Sequence, residues 1–271
     1  MEQRGENPLQ KIYAVIPARF HSTRLEAKLM LPLNGKPLIL HTLEQTKKAG
    51  IIDRTIVATD DARILQIVKE SGNEAVLTSA DHQSGSDRIA EVAEQLEENS
   101  IIVNVQGDEP LIPTSTIEKA VVSLLENEQV EVATTCEKIK SFEEVSNPNT
   151  VKVVRDKNDF ALYFSRLPIP YPREIIRKYG SLKLAFESDP KIINLYRKHT
   201  GLYVYRRNFL LDFTKQKQTA LEKYEMLEQL RILENGARIK CVDVPEKSIG
   251  VDTLEDFEQV KRLIESRKLT F

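Results

Sequence analysis

The chain has 271 residues, of which 41% are hydrophobic and 30% charged, a composition that allows a sizeable core and excludes a disordered polymer. Its 39 basic and 41 acidic side chains are interspersed and leave a net charge of −2, so no global field would draw nucleic acid, and an anionic ligand must be met by a local cluster. No apolar run approaches the roughly 18–20 residues that span a bilayer, and no signal-peptide pattern opens the sequence, so a cytoplasmic protein without a membrane span is expected. Cys136 and Cys241 have no CxxC spacing and no histidine near them in sequence, which argues for buried, reduced thiols.

Residues 1–10 are polar and aperiodic, and a loose extension is expected there. Residues 12–17 form an apolar run suited to a first buried strand, ended by Pro17. The loop that follows, residues 18–28, carries Arg19, Arg24 and Lys28. Forked and compact cations just past a strand can hold a triphosphate, although a solvated basic loop has the same composition. It is not a Walker loop, because GxxxxGK[ST] occurs nowhere. Asn34-Gly35 reads as a turn, and Pro37 as the start of a helix to about residue 49, with His41 structural and Gly50 the stop. A second strand at 55–59 leads to Asp60 and Asp61, which open a helix to about residue 71, with capping the favoured role of Asp61. A third strand at 74–78 precedes Ser84, Gly85, Ser86 and Arg88, at the head of a helix with Ile89, Val92, Ala93 and Leu96 at helical spacing. N–H groups at that terminus and the Arg88 guanidinium suit an anion, and capping competes for the same residues.

Residues 101–105 read as a strand buried on both faces, broken at Gln106-Gly107-Asp108-Glu109-Pro110. That break leaves carboxylates at the carboxyl end of a central strand, where open α/β sheets bind ligands and where Mg²⁺ could be held; a strand-ending turn with solvated acids fits as well. A helix at 113–127 and a strand at 130–136 complete a doubly wound α/β region. The second half begins with a hairpin of 151–155 and 160–164, then a proline-rich passage to residue 173. Residues 174–198 are weakly patterned, and a variable, mobile insertion is expected. A strand at 200–205 follows His199, which shares a strand face with Tyr203. A helix at 221–235 carries Met226, Leu227, Leu230 and Leu233 and stops at Gly236, with Glu225 and Glu228 on one face and Glu222 and Glu225 as surface or network charges. A last strand at 238–244 and a final helix after residue 253 close the chain, with Asp252 either N-cap or metal ligand. With no repeat and no flexible linker, a single domain over 11–271 is expected, in halves of 11–140 and 141–271 with an inserted subdomain.

Several segments in their order resemble the 3-deoxy-manno-octulosonate cytidylyltransferases, or CMP-KDO synthetases. They are Ile16-Pro17-Ala18-Arg19 with Ser22-Thr23-Arg24-Leu25, Gly35-Lys36-Pro37-Leu38, residues 56–60, residues 81–88, residues 103–110, Asn147-Pro148-Asn149, residues 161–166, residues 225–231 and Gly250-Val251-Asp252-Thr253. The resemblance implies a nucleotide-diphospho-sugar transferase-like α/β fold, with a mixed, mostly parallel sheet flanked by helices and an inserted, smaller β-containing dimerisation region. It implies a cytoplasmic, Mg²⁺-dependent homodimer that transfers CMP from CTP to the anomeric hydroxyl of the eight-carbon acid sugar KDO for lipopolysaccharide synthesis. Carried onto this sequence, Arg19, Arg24, Lys28, Ser84 and Gly85 would hold CTP, and Asp108 and Asp252 the metal. Arg88, Gln106, His199, Tyr203 and Glu228 would meet the sugar, with Arg166 near it. Catalysis would rest on Asp108, Asp252, Lys28 and Arg19. Two departures stand out: Glu26-Ala27 replaces the family's Pro-Gly before Lys28, and residues 174–198 match poorly, which leaves KDO or a modified form such as the 8-amino analogue open. A CMP-sialic acid synthetase is a neighbouring reading, against which the Asp81-His82-Gln83-Ser84-Gly85 stretch argues. A nucleotide-binding protein without turnover is a third reading.

Overall fold

A computed structural model of the chain describes residues 10–22, 24–245 and 248–268, so the extension expected before residue 10 lies outside the described residues. β1 (Ile12–Ala18) is the buried strand expected, but Pro17 lies inside it and pairs with Ala58. The proline is tolerated because Val15 is the last β1 residue paired to the neighbouring strand on the side its nitrogen faces, so no ladder bond is lost. A two-residue hairpin, β2 (Pro32–Leu33) and β3 (Lys36–Pro37), turns at Asn34 and Gly35, with φ of 55° and 79°, and α1 (Leu38–Lys47) begins directly after Pro37. β4 (Arg54–Thr59) leads to α2 (Ala62–Glu70), whose first turn Asp61 caps by accepting from Arg63 N at 2.9 Å. After β5 (Glu74–Leu77), α3 (Gly85–Ala93) stops three residues short of Leu96. β6 (Ile101–Asn104) is buried at all four positions.

Beyond the 106–110 turn come α4 (Thr114–Leu125), β7 (Val132–Lys138), α5 (Phe142–Ser146) and the hairpin of β8 (Lys152–Arg155) and β9 (Ala161–Ser165). Residues 174–198 are not the loose insertion expected. They form α6 (Arg173–Tyr179), α7 (Leu182–Ser188), a 3₁₀ turn (Pro190–Leu195) and the start of β10 (Arg197–Arg206). Ala185, Phe186, Ile192 and Tyr196 pack with Ile139 and Val145 into a small core of their own. Helices of about two turns show too few periods to reveal their buried side in sequence. After α8 (Arg207–Thr214), the single helix expected at 221–235 is two: α9 (Ala220–Glu225) and α10 (Gln229–Glu234) flank Met226 at φ 52°. Glu225 and Glu228 therefore do not share a helix face. β11 (Ile239–Asp243) and α11 (Leu254–Lys268) end the described chain.

These elements form two compact units. The first takes in the chain to Pro110, Tyr205–Thr214 and the chain from Val251. Its strands lie in the order β6-β1-β4-β5, all parallel, so their carboxyl ends share one edge, and the middle strands are apolar on both faces because helices cover them. The second takes in Leu111–Val204 and Lys215–Gly250. In it β7 pairs β11 in parallel, while β8 runs antiparallel to β9 and β10. The pairing is thus mixed and mostly parallel, as expected. Cys136 and Cys241 are free and buried on β7 and β11. Among the described residues no helix is long and apolar enough to cross a membrane.

Candidate active site

The loops that leave the carboxyl ends of β1, β4, β5 and β6, with the segment before α11, carry the chemistry of the first unit. The basic loop ends in a 3₁₀ turn, Lys28–Met30, introduced by Ala27 at φ 52° and ψ 28°. That is left-handed backbone, which glycine enters freely and alanine only at about 1–2 kcal/mol. Alanine in place of glycine therefore changes the energy of this turn and not its path. Lys28 Nζ is delivered between two carboxylates, hydrogen-bonded to Asp108 Oδ2 and 2.9 Å from Asp252 Oδ1, and Arg24 Nη2 lies 2.9 Å from Asp252 Oδ2. Burial is the largest single influence on the Lys28 ammonium and opposes its charge, but Asp108 and Asp252 together hold its pKa above the ordinary lysine value.

Two backbone features bring together carboxylates 144 positions apart in sequence. Gly107 lets the turn pass close to β1, and Val251 N donates to Asp108 O at 2.9 Å, which ties the segment before α11 to the turn after β6. The cap of α11 goes to Thr253, which accepts from Asp256 N at 3.2 Å while Asp256 Oδ2 accepts from Thr253 N at 2.9 Å. Asp252 is thereby released from capping. Among the described residues no three His, Cys, Asp or Glu cluster to hold a metal. Two carboxylates converging on one cation suit Mg²⁺, which takes one or two such ligands and fills its shell with water and phosphate oxygens, and do not suit structural zinc.

A cavity of about 300 Å³ adjoins this cluster, lined by Arg19, Ser22, Lys28, His82, Gln83, Ser84, Gly85, Arg88, Gln106 and Asp108. Arg19 is exposed and has no ion-pair partner among the described residues. Ser84 is the N-cap of α3, accepting from Asp87 N at 3.1 Å, so its hydroxyl already has a structural task. Arg88 is 5% exposed, with Nη2 2.7 Å from Asp60 Oδ2 and Nη1 2.6 Å from Thr78 Oγ1. The fork expected to seize an anion is thus largely engaged by Asp60, which sequence reasoning considered only as a helix-opening acid. His82, hydrogen-bonded to Glu91, also lines the cavity; it lies in the 81–88 segment that carries the resemblance, where it is assigned no role.

The other expected sugar contacts belong to the second unit. His199 and Tyr203 do share a face of β10, ring centroids 5.3 Å apart, with Phe164 5.0 Å from His199 on its other side. Thr134 Oγ1 lies 3.1 Å from His199 Nε2, and burial first, then Lys198, push the imidazole down to about 3, so the ring is neutral. Arg166 donates to three backbone carbonyls: Glu225 O at 2.7 Å, Pro148 O at 3.0 Å and Met226 O at 3.2 Å. It acts here as a clamp. Glu225 accepts from Ser165 Oγ at 2.7 Å and Arg166 N at 3.0 Å, and Glu222 forms a buried ion pair with Arg231, which also reaches Glu228 at 3.4 Å. Both acids are network charges.

A parallel α/β sheet that gathers cations and carboxylates beside a cavity at its carboxyl edge defines a nucleotidyltransferase type of site. The profile of the cytidylyltransferase family matches residues 13–240. The chain is 49% identical over 250 residues to the 3-deoxy-manno-octulosonate cytidylyltransferase of Geotalea uraniireducens, covering 92% of this chain and 97% of that protein. It is 43% identical over 259 residues to that of Fusobacterium nucleatum, covering 96% and 99%. The solved structure of a CMP:2-keto-3-deoxy-manno-octonic acid synthetase complexed with CTP superposes with a TM-score of 0.84 at 38% identity, over 95% of this chain and all of that one. The chain belongs to the 3-deoxy-manno-octulosonate cytidylyltransferase family.

Proposed function

We propose that the protein transfers CMP from CTP to the anomeric hydroxyl of KDO and releases pyrophosphate, activating the sugar for lipopolysaccharide synthesis. The observation that carries this is the convergence of Asp108, Asp252 and Lys28 beside a cavity edged by Arg19, Ser84 and Gly85. The triphosphate would lie along the basic loop, with Arg19 gripping its oxygens by a fork and Lys28 and Arg24 supplying charge. The new bond joins the sugar oxygen to the α-phosphorus as the hydroxyl proton passes to water, and the bond from that phosphorus to the bridging oxygen breaks, its electrons leaving with the pyrophosphate. Charge then grows on the pyrophosphate, where cations already in place stabilise it.

Asp108 and Asp252 would hold Mg²⁺, which when bound acts as a Lewis acid on the phosphoryl oxygens. Lys28, held by the same carboxylates in the structure, would then turn its ammonium to the phosphates. Arg88 and Gln106 of the first unit, and separately Arg166, His199, Tyr203 and Glu228 of the second, are the candidate contacts of the acid sugar. A neutral His199 suits hydrogen bonding to hydroxyls more than pairing with the carboxylate. In this reading the first unit, which includes Asp252, supplies the nucleotide contacts, and the second unit supplies sugar contacts. A cytoplasmic homodimer completes it, supported by the exposure of Leu162, Leu167, Tyr171, Tyr224 and Met226, which a second copy would cover; light scattering measures that state.

Pyrophosphate release from CTP with Mg²⁺ and KDO tests the reaction, with 8-amino-KDO and N-acetylneuraminate alongside and Asp108→Ala as the control. Release with KDO that vanishes in the variant is expected. Release confined to another sugar moves the specificity, and CTP binding without release from any sugar refutes the enzyme.

A further inference from the structure

Lys152 on β8 has 0% exposure and forms no ion pair with any described carboxylate. Its ammonium instead donates to three backbone carbonyls, Asn147 O at 2.9 Å, Thr150 O at 2.6 Å and Arg166 O, so all three of its protons are used. A buried cation without a counter-charge is unfavourable, and burial first, then the neighbouring Arg166, push its pKa down to about 8 against the opposing pull of Glu225. What the charge holds together is specific. Arg166, fixed through its carbonyl by Lys152, reaches Pro148 O, Glu225 O and Met226 O, and Glu225 returns bonds to Ser165 and the Arg166 amide. Segments 147–152, 163–166 and 225–228 thereby meet in one polar junction. All three contain motifs singled out in the sequence, and the nucleotide cavity uses none of them. The junction adjoins the left-handed turn at Met226, whose carbonyl Arg166 binds, two residues before Glu228.

We propose that Lys152 is a positioning residue for the acid sugar, an internal cation that fixes Arg166 and the Met226 turn and through them presents Glu228. This rests on the function proposed above. Methionine at 152 would fill the volume but take the ammonium from Thr150 O and Arg166 O and leave Asn147 O with the Thr150 amide alone, so the 147–150 turn and the end of β9 would part.

Steady-state kinetics of wild type and Lys152→Met with CTP and KDO test it. The KM for KDO is expected to rise roughly tenfold or more, the scale of one lost charged hydrogen bond, while the KM for CTP stays within about twofold. Lys152→Ala, measured with and without methylammonium chloride, is the second arm, because a small ammonium ion can enter the vacated carbonyl cage and lower the KM for KDO again. A wild-type KM for KDO in Lys152→Met, or an equal rise in both KM values, overturns the proposal. So does failure of both variants to fold with no recovery in methylammonium, which would make the role purely structural. A wild-type enzyme that turns over no acid sugar sinks the functional reading itself and this inference with it, whereas an active wild type without the KM split sinks only the role of Lys152.

Discussion

Gly107→Ala isolates the packing that places Asp108. A Cβ built on Gly107 would lie 3.0 Å from Pro17 O, 3.3 Å from Ile39 Cδ1 and 3.4 Å from Leu29 Cδ1. The two methyl groups can move aside by a few tenths of an ångström. Pro17 O cannot, because it belongs to β1, which is paired to strands on both sides and buried for most of its length. The turn must therefore yield, and it is also held from below by Thr42 Oγ1, which donates to Gly107 O at 2.8 Å. Overpacking of this kind costs about 1–3 kcal/mol, and at about 2–4 °C per kcal/mol for a chain of this size the melting temperature falls by about 2–12 °C. The rate falls as well, because the turn that yields by a few tenths of an ångström carries Asp108, and a full 1 Å misplacement of a group that orients the reaction would cost on the order of 10²-fold. Differential scanning fluorimetry and pyrophosphate release read the two effects. Gly50→Ala is the internal control: its added Cβ meets nothing within 4 Å, so stability and rate should stay at wild-type values. Wild-type melting and wild-type turnover in Gly107→Ala would refute the argument that β1 is the rigid wall against which the turn is set.

Ala27→Gly should stabilise the protein by about 0–1 kcal/mol, since relief of about 1–2 kcal/mol of left-handed strain is offset in part by the greater freedom of glycine in the unfolded chain. Urea denaturation measures it, and a loss of more than about 1 kcal/mol would contradict the backbone account of this turn. Lys152 binds its proton less readily in the folded chain, at about 8, than at its ordinary 10.5, so the unfolded chain carries the extra proton between those values. Stability attributable to this group therefore rises with pH across that window and is lost as pH falls through about 8, with Arg166 and Glu225 the charges that face it. The difference in urea midpoint between wild type and Lys152→Met should change in that sense from pH 8 to 10.5, and a constant difference would show that the amine does not titrate there.

The elements of the first unit were legible from the sequence because each carries its own periodicity and stop: the apolar runs of β1, β4 and β6, the Asn34-Gly35 turn, the caps at Asp61 and Ser84. So was the identity of the charged groups at the site, once the order of the motifs pointed to a family. Pairing was not legible. Nothing local says that Val251 bonds to Asp108, that Thr253 takes the cap and frees Asp252, or that Arg88 is spent on Asp60, because those choices are made between segments far apart in the chain. The break at Met226 and the small core within 174–198 escaped for a related reason. Short elements are stabilised by what packs on them and carry too few turns to display a face. Lys152 is the sharpest case: in the sequence it is one cation among 39, and only the fold closes three carbonyls around it. Composition and local pattern determined which elements form and which chemistry is available, whereas the tertiary structure decided which donors meet which acceptors, since the satisfaction of buried polar groups is a property of the assembled chain.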